Sequence, residues 1–247
     1  MFKRKRSQQE IFASFQWWDR GCFLGQITGD RCDYIEACVT KVFGAGALAQ
    51  QEILEVGCGG GLVCEELARR KAVMVGVDPS QEALATARVH AQQSGLGDII
   101  HYEQGSAEAL PCADGSFSMI VCLDVLEHVR DLKATIGEIA RVLAPGGVFV
   151  FDTINRTLMA RVVLIWYGEN FPNGSLVRGI HNYDDFIKPG ELRAVLAASG
   201  LQVQELRGFM PRGFVDGHIK MGPGWFTGVS YVGYATKMRL VGMPNKK

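Results

Sequence analysis

The sequence lacks an excess of charge of either sign: 26 lysine and arginine residues are balanced by 26 aspartate and glutamate residues. Proteins dedicated to nucleic acid carry a basic excess, so this balance argues against that class. The seven cysteines form no C-x-x-C pair and no regular framework, which predicts reduced thiols in a cytoplasmic protein. The basic first ten residues contain no apolar core, and the longest apolar stretch, 158–167, contains Arg161. Neither a secretory signal nor a membrane span is predicted.

Glycine and apolar residues are abundant instead. The 247 residues include 30 glycines, and 47% of them are hydrophobic. This composition predicts a packed core and many tight turns or close approaches of the backbone to a ligand. The length fits a single domain.

Short apolar runs alternate with helical patterns after residue 51. Strands are predicted at 52–57, 72–78, 99–104, 116–123 and 148–153, with helices at 62–70, 79–93 and 132–143. A further helix is predicted at 189–199, and two more strands at 202–208 and 228–236. Apolar strands that alternate with helices predict an α/β fold: a Rossmann-like, mostly parallel sheet of seven strands with helices on both faces.

This single domain is predicted to have four parts. Residues 1–50 form a helical cap with an amphipathic helix over 11–43, and residues 51–153 form the cofactor-binding core. Residues 154–188 break the alternation and are interpreted as an insert or lid, and residues 189–247 complete the sheet.

A glycine run stands where the first strand meets the first helix. Glu55, Gly57, Gly59 and Gly61 form an E-x-G-x-G-x-G pattern, which lets the backbone approach a ligand at a helix N-terminus. Asp78 ends the second strand, where a carboxylate can accept hydrogen bonds from both ribose hydroxyls. An acid at Glu55 suits a cationic ligand better than a pyrophosphate. The pattern therefore favours S-adenosylmethionine, which carries a sulfonium and an amine, over NAD.

The E-x-G-x-G-x-G run resembles the first signature of the class I S-adenosylmethionine-dependent methyltransferases. Further matches to that family are the segments 105–111, 117–124, 126–129 and 141–147. The first of these implies that adenine lies beside Ser106 and Ala107. The family often has Asp where Ser106 stands, and a hydroxyl accepts a hydrogen bond more weakly than a carboxylate.

The rest of the chain resembles the ubiquinone-biosynthesis O-methyltransferases. The matching segments are 15–19, 31–35, 152–156, 181–192 and 220–224. The resemblance implies that Arg31, Gly57, Asp78 and Leu123 contact S-adenosylmethionine, with Arg31 near the methionine carboxylate. It also implies O-methylation of a hydroxylated aromatic small molecule, of the catechol or polyprenyl-phenol type. Residues 24–30 depart from the family pattern, so N- or C-methylation of another metabolite remains the alternative.

An acceptor hydroxyl must lose its proton during methyl transfer, to a base or with the help of a metal ion. Asp124, Glu127 and His128 follow the fourth strand at i, i+3 and i+4, which predicts one shared helical face. This trio is a candidate ligand set for Mg²⁺ or another divalent cation, as the related family's E-x-x-E-H also implies. The L-E-H-V motif also occurs in metal-free methyltransferases, where the histidine packs or shapes the pocket, and His128 as general base is the fallback hypothesis. His181, on the insert, is the second candidate base, and a hydrogen-bonded loop histidine is its alternative.

Two apolar segments have two interpretations each. Residues 158–167 either pack on the sheet edge or form a lid that meets lipid at a membrane face. The basic residues 3–6 would add about 1 kcal/mol per charge on anionic lipid. Phe12, Trp17 and Trp18 either close over the cofactor or belong to the core.

Overall fold

The computed structural model describes residues 11–12, 15–19, 21–170, 176–215 and 218–238. The predicted basic segment 3–6 lies outside the described residues. The helices are α1 Phe23–Phe43, α2 Leu62–Arg69, α3 Gln81–Gln93, α4 Leu132–Val142 and α5 Pro189–Ala198. The strands are β1 Glu52–Val56, β2 Val73–Asp78, β3 Ile100–Gln104, β4 Phe117–Cys122, β5 Leu143–Ile154, β6 Leu201–Val215, β7 His218–Gly224 and β8 Ser230–Lys237. Short 3-10 helices lie at Ala47–Gln50, Leu126–His128 and Tyr183–Asp185, and the helical turn Leu158–Ala160 continues as a π-helix over Arg161–Gly168.

One sheet contains all eight of these strands in the order β3-β2-β1-β4-β5-β8-β6-β7. The strands from β3 to β5 pair in parallel, whereas β8, β6 and β7 pair antiparallel to their neighbours. The predicted Rossmann-like sheet is confirmed, but the predicted number of seven strands is wrong. The additional strand is β7, at the edge of the sheet, and it contains Gly222, Pro223 and Gly224. Glycine and proline are depleted in strands, so its sequence did not predict one.

Helices cover both faces of the sheet, which explains why the central strands are apolar on both sides. Neighbouring side chains of β1 point to opposite faces, and Ile53 and Leu54 are both fully buried. Ile53 belongs to a cluster with residues of α1, α2 and α3. Leu54 belongs to a second cluster with residues of α4 and α5. The described part of the chain contains no helix long and apolar enough to cross a membrane.

Local capping sets where several helices begin. Ser80 accepts a hydrogen bond from the Ala83 amide at the start of α3, 3.2 Å away. Asp131 accepts hydrogen bonds from the amides of Lys133 and Ala134 at the start of α4, at 2.9 and 3.0 Å. Such side-chain oxygens satisfy amides that have no partner inside the helix. The cap at Ser80 also explains why α3 begins at Gln81 rather than at residue 79 as predicted.

Two boundaries differ more from the prediction. The helix predicted over 11–43 is continuous only from Phe23, and β5 begins at Leu143 rather than at 148. Leu143 pairs with Phe117, and the register then shifts before Val148 pairs with Met119. The intervening Pro145, Gly146 and Gly147 therefore lie within an irregular part of the strand.

Candidate active site

The glycine loop between β1 and α2 lies at the carboxyl end of the parallel strands. Gly57, Gly59 and Gly61 have φ angles of 75°, 50° and 84°, in the left-handed region that glycine adopts without strain. The Gly57 amide donates a hydrogen bond to the Val77 carbonyl over 2.7 Å, which ties the loop to the end of β2. A Cβ atom at Gly57 would overlap the side chain of Val125. Glycine is therefore required for the loop after β4 to approach the loop after β1.

Asp78 lies at the end of β2 beside this loop. Its carboxylate accepts hydrogen bonds from the amides of Gly59 at 2.9 Å and Ser80 at 2.8 Å. A carboxylate offers about four lone-pair positions, so these two bonds leave room for further donors such as ribose hydroxyls. Burial raises the pKa of Asp78 above its usual value.

Glu55, near the end of β1, is only 4% exposed. Burial raises the pKa of Glu55 to about 8. Its Oε2 atom is buried and has no hydrogen-bond partner among the described residues. A cationic group placed beside this carboxyl would satisfy the oxygen and favour its ionised form. Together with the glycine loop and Asp78, this acid fits a ligand that combines a ribose with a positive charge.

Two tryptophans cover the glycine loop. The Trp17 ring lies so close to the loop that Cβ atoms at Gly59 and Gly60 would overlap it. The indole N–H of Trp18 donates to the Gly60 carbonyl at 3.0 Å, and its ring stacks on His90 with the centroids 3.4 Å apart. These aromatic rings are packed against other side chains and also cover the glycine loop. A place in the core and a place over the loop therefore do not exclude each other.

The predicted adenine side of the site lies after β3. Ser106 donates its hydroxyl hydrogen bond to the carboxylate of Glu108 and accepts one from the Glu108 amide at 3.2 Å. These bonds, with the Ser106–Ala109 bridge, form a tight turn. Ala107 is half-buried within that turn. Leu123, directly after β4, is buried against the α1–α3 side of the core.

Arg31 reaches the site from α1 and is buried between two acids. Its Nη2 atom lies 2.5 Å from Oδ2 of Asp124, and its Nε atom lies 2.9 Å from Oδ2 of Asp152. The Asp124 amide also donates to Oδ1 of Asp152 at 2.6 Å, and Asp124 has a φ of 52°. Arg31 and Asp152 together hold this left-handed residue at the start of the loop after β4. The predicted contact of Arg31 with the methionine carboxylate stays a prediction.

The three predicted metal ligands have separate partners. Asp124 pairs with Arg31, whereas the Thr153 hydroxyl donates to Oε2 of Glu127 at 2.7 Å. The ring of His128 packs against Phe12 with the centroids 5.6 Å apart. These residues lie at and beside a three-residue 3-10 helix, so the predicted shared face of an α-helix is wrong. Within the described ranges no group of three or more His, Cys, Asp or Glu side chains is placed to hold a metal ion. As arranged, the trio does not fit a divalent cation.

The two predicted base residues lie next to each other. The rings of His128 and His181 stack with their centroids 5.5 Å apart. Burial, followed by the neighbouring His181, lowers the pKa of His128 to about 4. Glu169 lies 2.9 Å from Nδ1 of His181 through its Oε1 atom. Residues that are 53 positions apart in the sequence thus form one imidazole pair.

Three polar residues of this region were given no role by the sequence reasoning, although two of them lie in the matching segment 152–156. Asp152 lies inside the apolar run of β5, Thr153 follows it, and Glu169 follows the apolar residues of the insert. All three are buried, at 2%, 1% and 7% exposure. An acid inside or directly after an apolar run is the signal that would have found two of them, because a buried acid requires a partner.

Known proteins show similarity over the same regions. Residues 54–151 match the methyltransferase domain family. A ubiquinone biosynthesis O-methyltransferase of Parvibaculum lavamentivorans is 37% identical over 232 residues, which cover 91% of this chain and 89% of that protein. The enzyme of the same description from Psychrobacter arcticus is 38% identical and covers 78% of this chain and 79% of its own length. Magnesium protoporphyrin IX methyltransferase from Synechocystis, solved with bound SAH, shares the fold with a TM-score of 0.61, 18% identity and 93% coverage of both chains.

Proposed function

The chain belongs to the ubiquinone biosynthesis O-methyltransferases, and from this membership we propose that it methylates a hydroxyl oxygen of a hydroxylated aromatic small molecule. It is an S-adenosylmethionine-dependent methyltransferase. Residues 54–151 match the methyltransferase domain family, and the O-methyltransferase relatives align with most of the chain. S-adenosylmethionine supplies an activated methyl group on a sulfonium. The work left to the protein is to position the two reactants and to accept one proton.

The observation that carries the proposal is that Val125 and Phe12 link the imidazole pair to the glycine loop. Val125, three residues before His128, packs on Gly57 so closely that a Cβ atom there would overlap it. Phe12 joins the two regions, because its ring lies 6.0 Å from that of Trp17 and 5.6 Å from that of His128. A proton acceptor is thus next to the segment that is suited to the methyl donor. This arrangement supports transfer to an acidic hydroxyl, which must be deprotonated.

We further propose how the residues divide the binding of the donor. The ribose hydroxyls donate to Asp78, and the sulfonium and amine lie on the side of Glu55. The amides and carbonyls of the glycine loop hold the methionine part, and adenine lies between the Ser106–Ala107 turn and Leu123. These roles rest on the positions of the residues and on the unpartnered oxygen of Glu55. In this scheme residues 51–153 are the cofactor-binding core, and residues 154–188 are a lid over the acceptor.

A catechol that carries a farnesyl chain tests the proposed reaction. The enzyme, with S-adenosylmethionine, is expected to release S-adenosylhomocysteine and to give a product whose new methyl group is bonded to oxygen, as read by NMR. The matched control is the same compound with both hydroxyls already methylated, which is expected to give no release. A new methyl group on ring carbon, or equal turnover of the control, contradicts O-methylation.

We also propose that the insert meets a lipid surface. Six apolar side chains within ten residues are exposed in the structure: Leu158, Met159, Val162, Val163, Trp166 and Tyr167. Their exposed fractions reach 72% at Leu158. A helical segment with such an apolar side is suited to lie in the interface of a membrane, where a polyprenylated acceptor is also found.

Co-sedimentation with vesicles of anionic phospholipid tests this contact. Val162→Asp is expected to lower the bound fraction because it places a charge on the apolar side of the insert. Val89→Asp is the matched control, since Val89 is also an exposed valine, at 58%, but lies on α3. Equal binding of the two variants and the wild type contradicts the proposed contact.

A further inference from the structure

A buried carboxylate outside the predicted site organises the second histidine. Glu169 follows the π-helix of the insert, and its side chain is only 3% exposed. Its Oε2 atom accepts a hydrogen bond from the Gly179 amide at 2.6 Å, and its Oε1 atom accepts one from the His181 amide at 3.0 Å. Oε1 also lies 2.9 Å from Nδ1 of His181. One side chain therefore fixes both the backbone and the ring of the segment 179–181.

The contact to Nδ1 determines where the proton of the His181 ring lies. An ionised Glu169 carboxylate acts only as an acceptor, and Nδ1 then carries the hydrogen of this contact. In a neutral imidazole the other nitrogen, Nε2, then holds the lone pair. The ring is also restrained from two sides, because it stacks on His128 and meets the edge of Phe186 at a centroid distance of 5.9 Å.

The neighbouring His128 differs in its surroundings. Its pKa is lowered by burial and by the proximity of His181, whereas His181 has a carboxylate beside it. Two stacked imidazoles cannot both carry a positive charge at low cost. The carboxyl group of Glu169 lies within hydrogen-bond distance of the His181 ring, 2.9 Å from Nδ1.

We propose that Glu169 is the positioning residue of the transfer reaction, which holds His181 with Nε2 ready to accept the proton of the acceptor hydroxyl. This inference rests on the proposed O-methylation. As the hydroxyl oxygen bonds to the methyl carbon, the carbon–sulfur bond breaks and its electron pair stays on sulfur. The hydroxyl proton passes to Nε2 of His181, and the oxygen keeps the electron pair of the O–H bond. The resulting imidazolium is balanced by Glu169.

The proton position is tested in the full-length wild-type protein. With nitrogen-15 in its histidines and S-adenosylhomocysteine present, NMR distinguishes a ring nitrogen that bears hydrogen from one with a lone pair. His181→Gln assigns the signals by their loss. At a pH where the ring is neutral, His181 is expected to have hydrogen on Nδ1 and the lone pair on Nε2. Hydrogen on Nε2 and the lone pair on Nδ1 would overturn the inference. This test requires no variant of Glu169.

A double-mutant cycle tests the effect on the reaction. Glu169→Gln is expected to lower kcat with the farnesylated catechol at least about tenfold, as part of the contribution of a general base. The KM of the acceptor and the affinity for S-adenosylhomocysteine are expected to change less than twofold. In the background of His181→Gln, the same change is expected to have no further effect on kcat, because Glu169 acts through that ring.

Glu205→Gln is the matched control. This carboxylate accepts hydrogen bonds from Tyr34 and Lys41, at 3.2 and 3.0 Å, outside the candidate site, and the variant is expected to keep the wild-type kcat. Wild-type kcat in Glu169→Gln, or an equal loss with and without His181, overturns the inference while the proposed function stands. A wild-type enzyme that leaves the catechol unmethylated removes the proposed function and this inference together.

Discussion

Replacement of Asp78 by Asn is expected to weaken donor binding through the ribose. The carboxylate accepts hydrogen bonds from the amides of Gly59 and Ser80 in the structure. Asn keeps the shape but replaces one acceptor oxygen with an NH₂ group and removes the charge. A hydrogen bond to a charged group contributes about 1.5–3 kcal/mol. Loss of one such bond to a ribose hydroxyl corresponds to an affinity decrease of about 10- to 150-fold.

Calorimetric titration with S-adenosylhomocysteine measures this decrease, and a second ligand isolates the ribose. An analogue without the 2′- and 3′-hydroxyls is expected to bind the wild type and Asp78→Asn equally, because the contact in question is already missing. Glu82→Gln is the control variant, since Glu82 is an exposed acid that pairs with Ser80 nearby. An equal loss for both ligands would show that the substitution acts by distorting the glycine loop. That result refutes the assignment of Asp78 to the ribose.

Three further substitutions test the fold around the site. Burial and the neighbouring Asp124 raise the pKa of Glu127 from 4.5 to about 7, so the folded chain binds that proton more tightly than the unfolded chain does. As the pH rises from about 4.5 through 7, the wild type is expected to lose up to about 3 kcal/mol of stability relative to Glu127→Gln. Urea unfolding at a series of pH values measures this difference. Equal pH dependence of the unfolding free energy in the two proteins contradicts the prediction. Trp18→Phe removes the hydrogen bond to Gly60 and is expected to cost about 1 kcal/mol in the same assay. Leu54→Ala, at a fully buried position of β1, is expected to cost about 2–5 kcal/mol and to lower Tm in calorimetry.

The central fold could be predicted because its signals are local. The runs that became β1, β2 and β4 are apolar on both faces, and the helices between them begin at caps or at the glycine loop. The start of β5 and the presence of β7 depend on pairing with other strands. Leu143 joins β5 only because Phe117 lies opposite it, and β7 forms on β6 although its sequence contains proline and glycine. Phe117 is 26 positions before Leu143 in the sequence, whereas β7 pairs with the strand directly before it.

The part of the site that is suited to the methyl donor could also be predicted, from the spacing of the glycine loop and Asp78 in the sequence. Two adjacent parallel strands bring these residues together. The ion pairs at the start of the loop after β4 were not accessible in this way. The ion pairs of Arg31 with Asp124 and Asp152 join residues that are about a hundred positions apart, and no local pattern indicates which acid a buried arginine will meet. The metal hypothesis relied on helical spacing after β4. A short 3-10 helix instead leads the side chains to different partners.

The cysteines of this chain are useful for following its motions. All seven are free, and six of them are buried, directly before α1, on α1, on α2, in the glycine loop and at the end of β4. Burial raises the pKa of thiols such as Cys64 and Cys122, which keeps them in the unreactive protonated form. A thiol-modifying reagent therefore reaches them only when the surrounding element opens. Mass spectrometry of a timed labelling reaction would rank the local openings of the cap, the donor loop and the central sheet without the introduction of any probe.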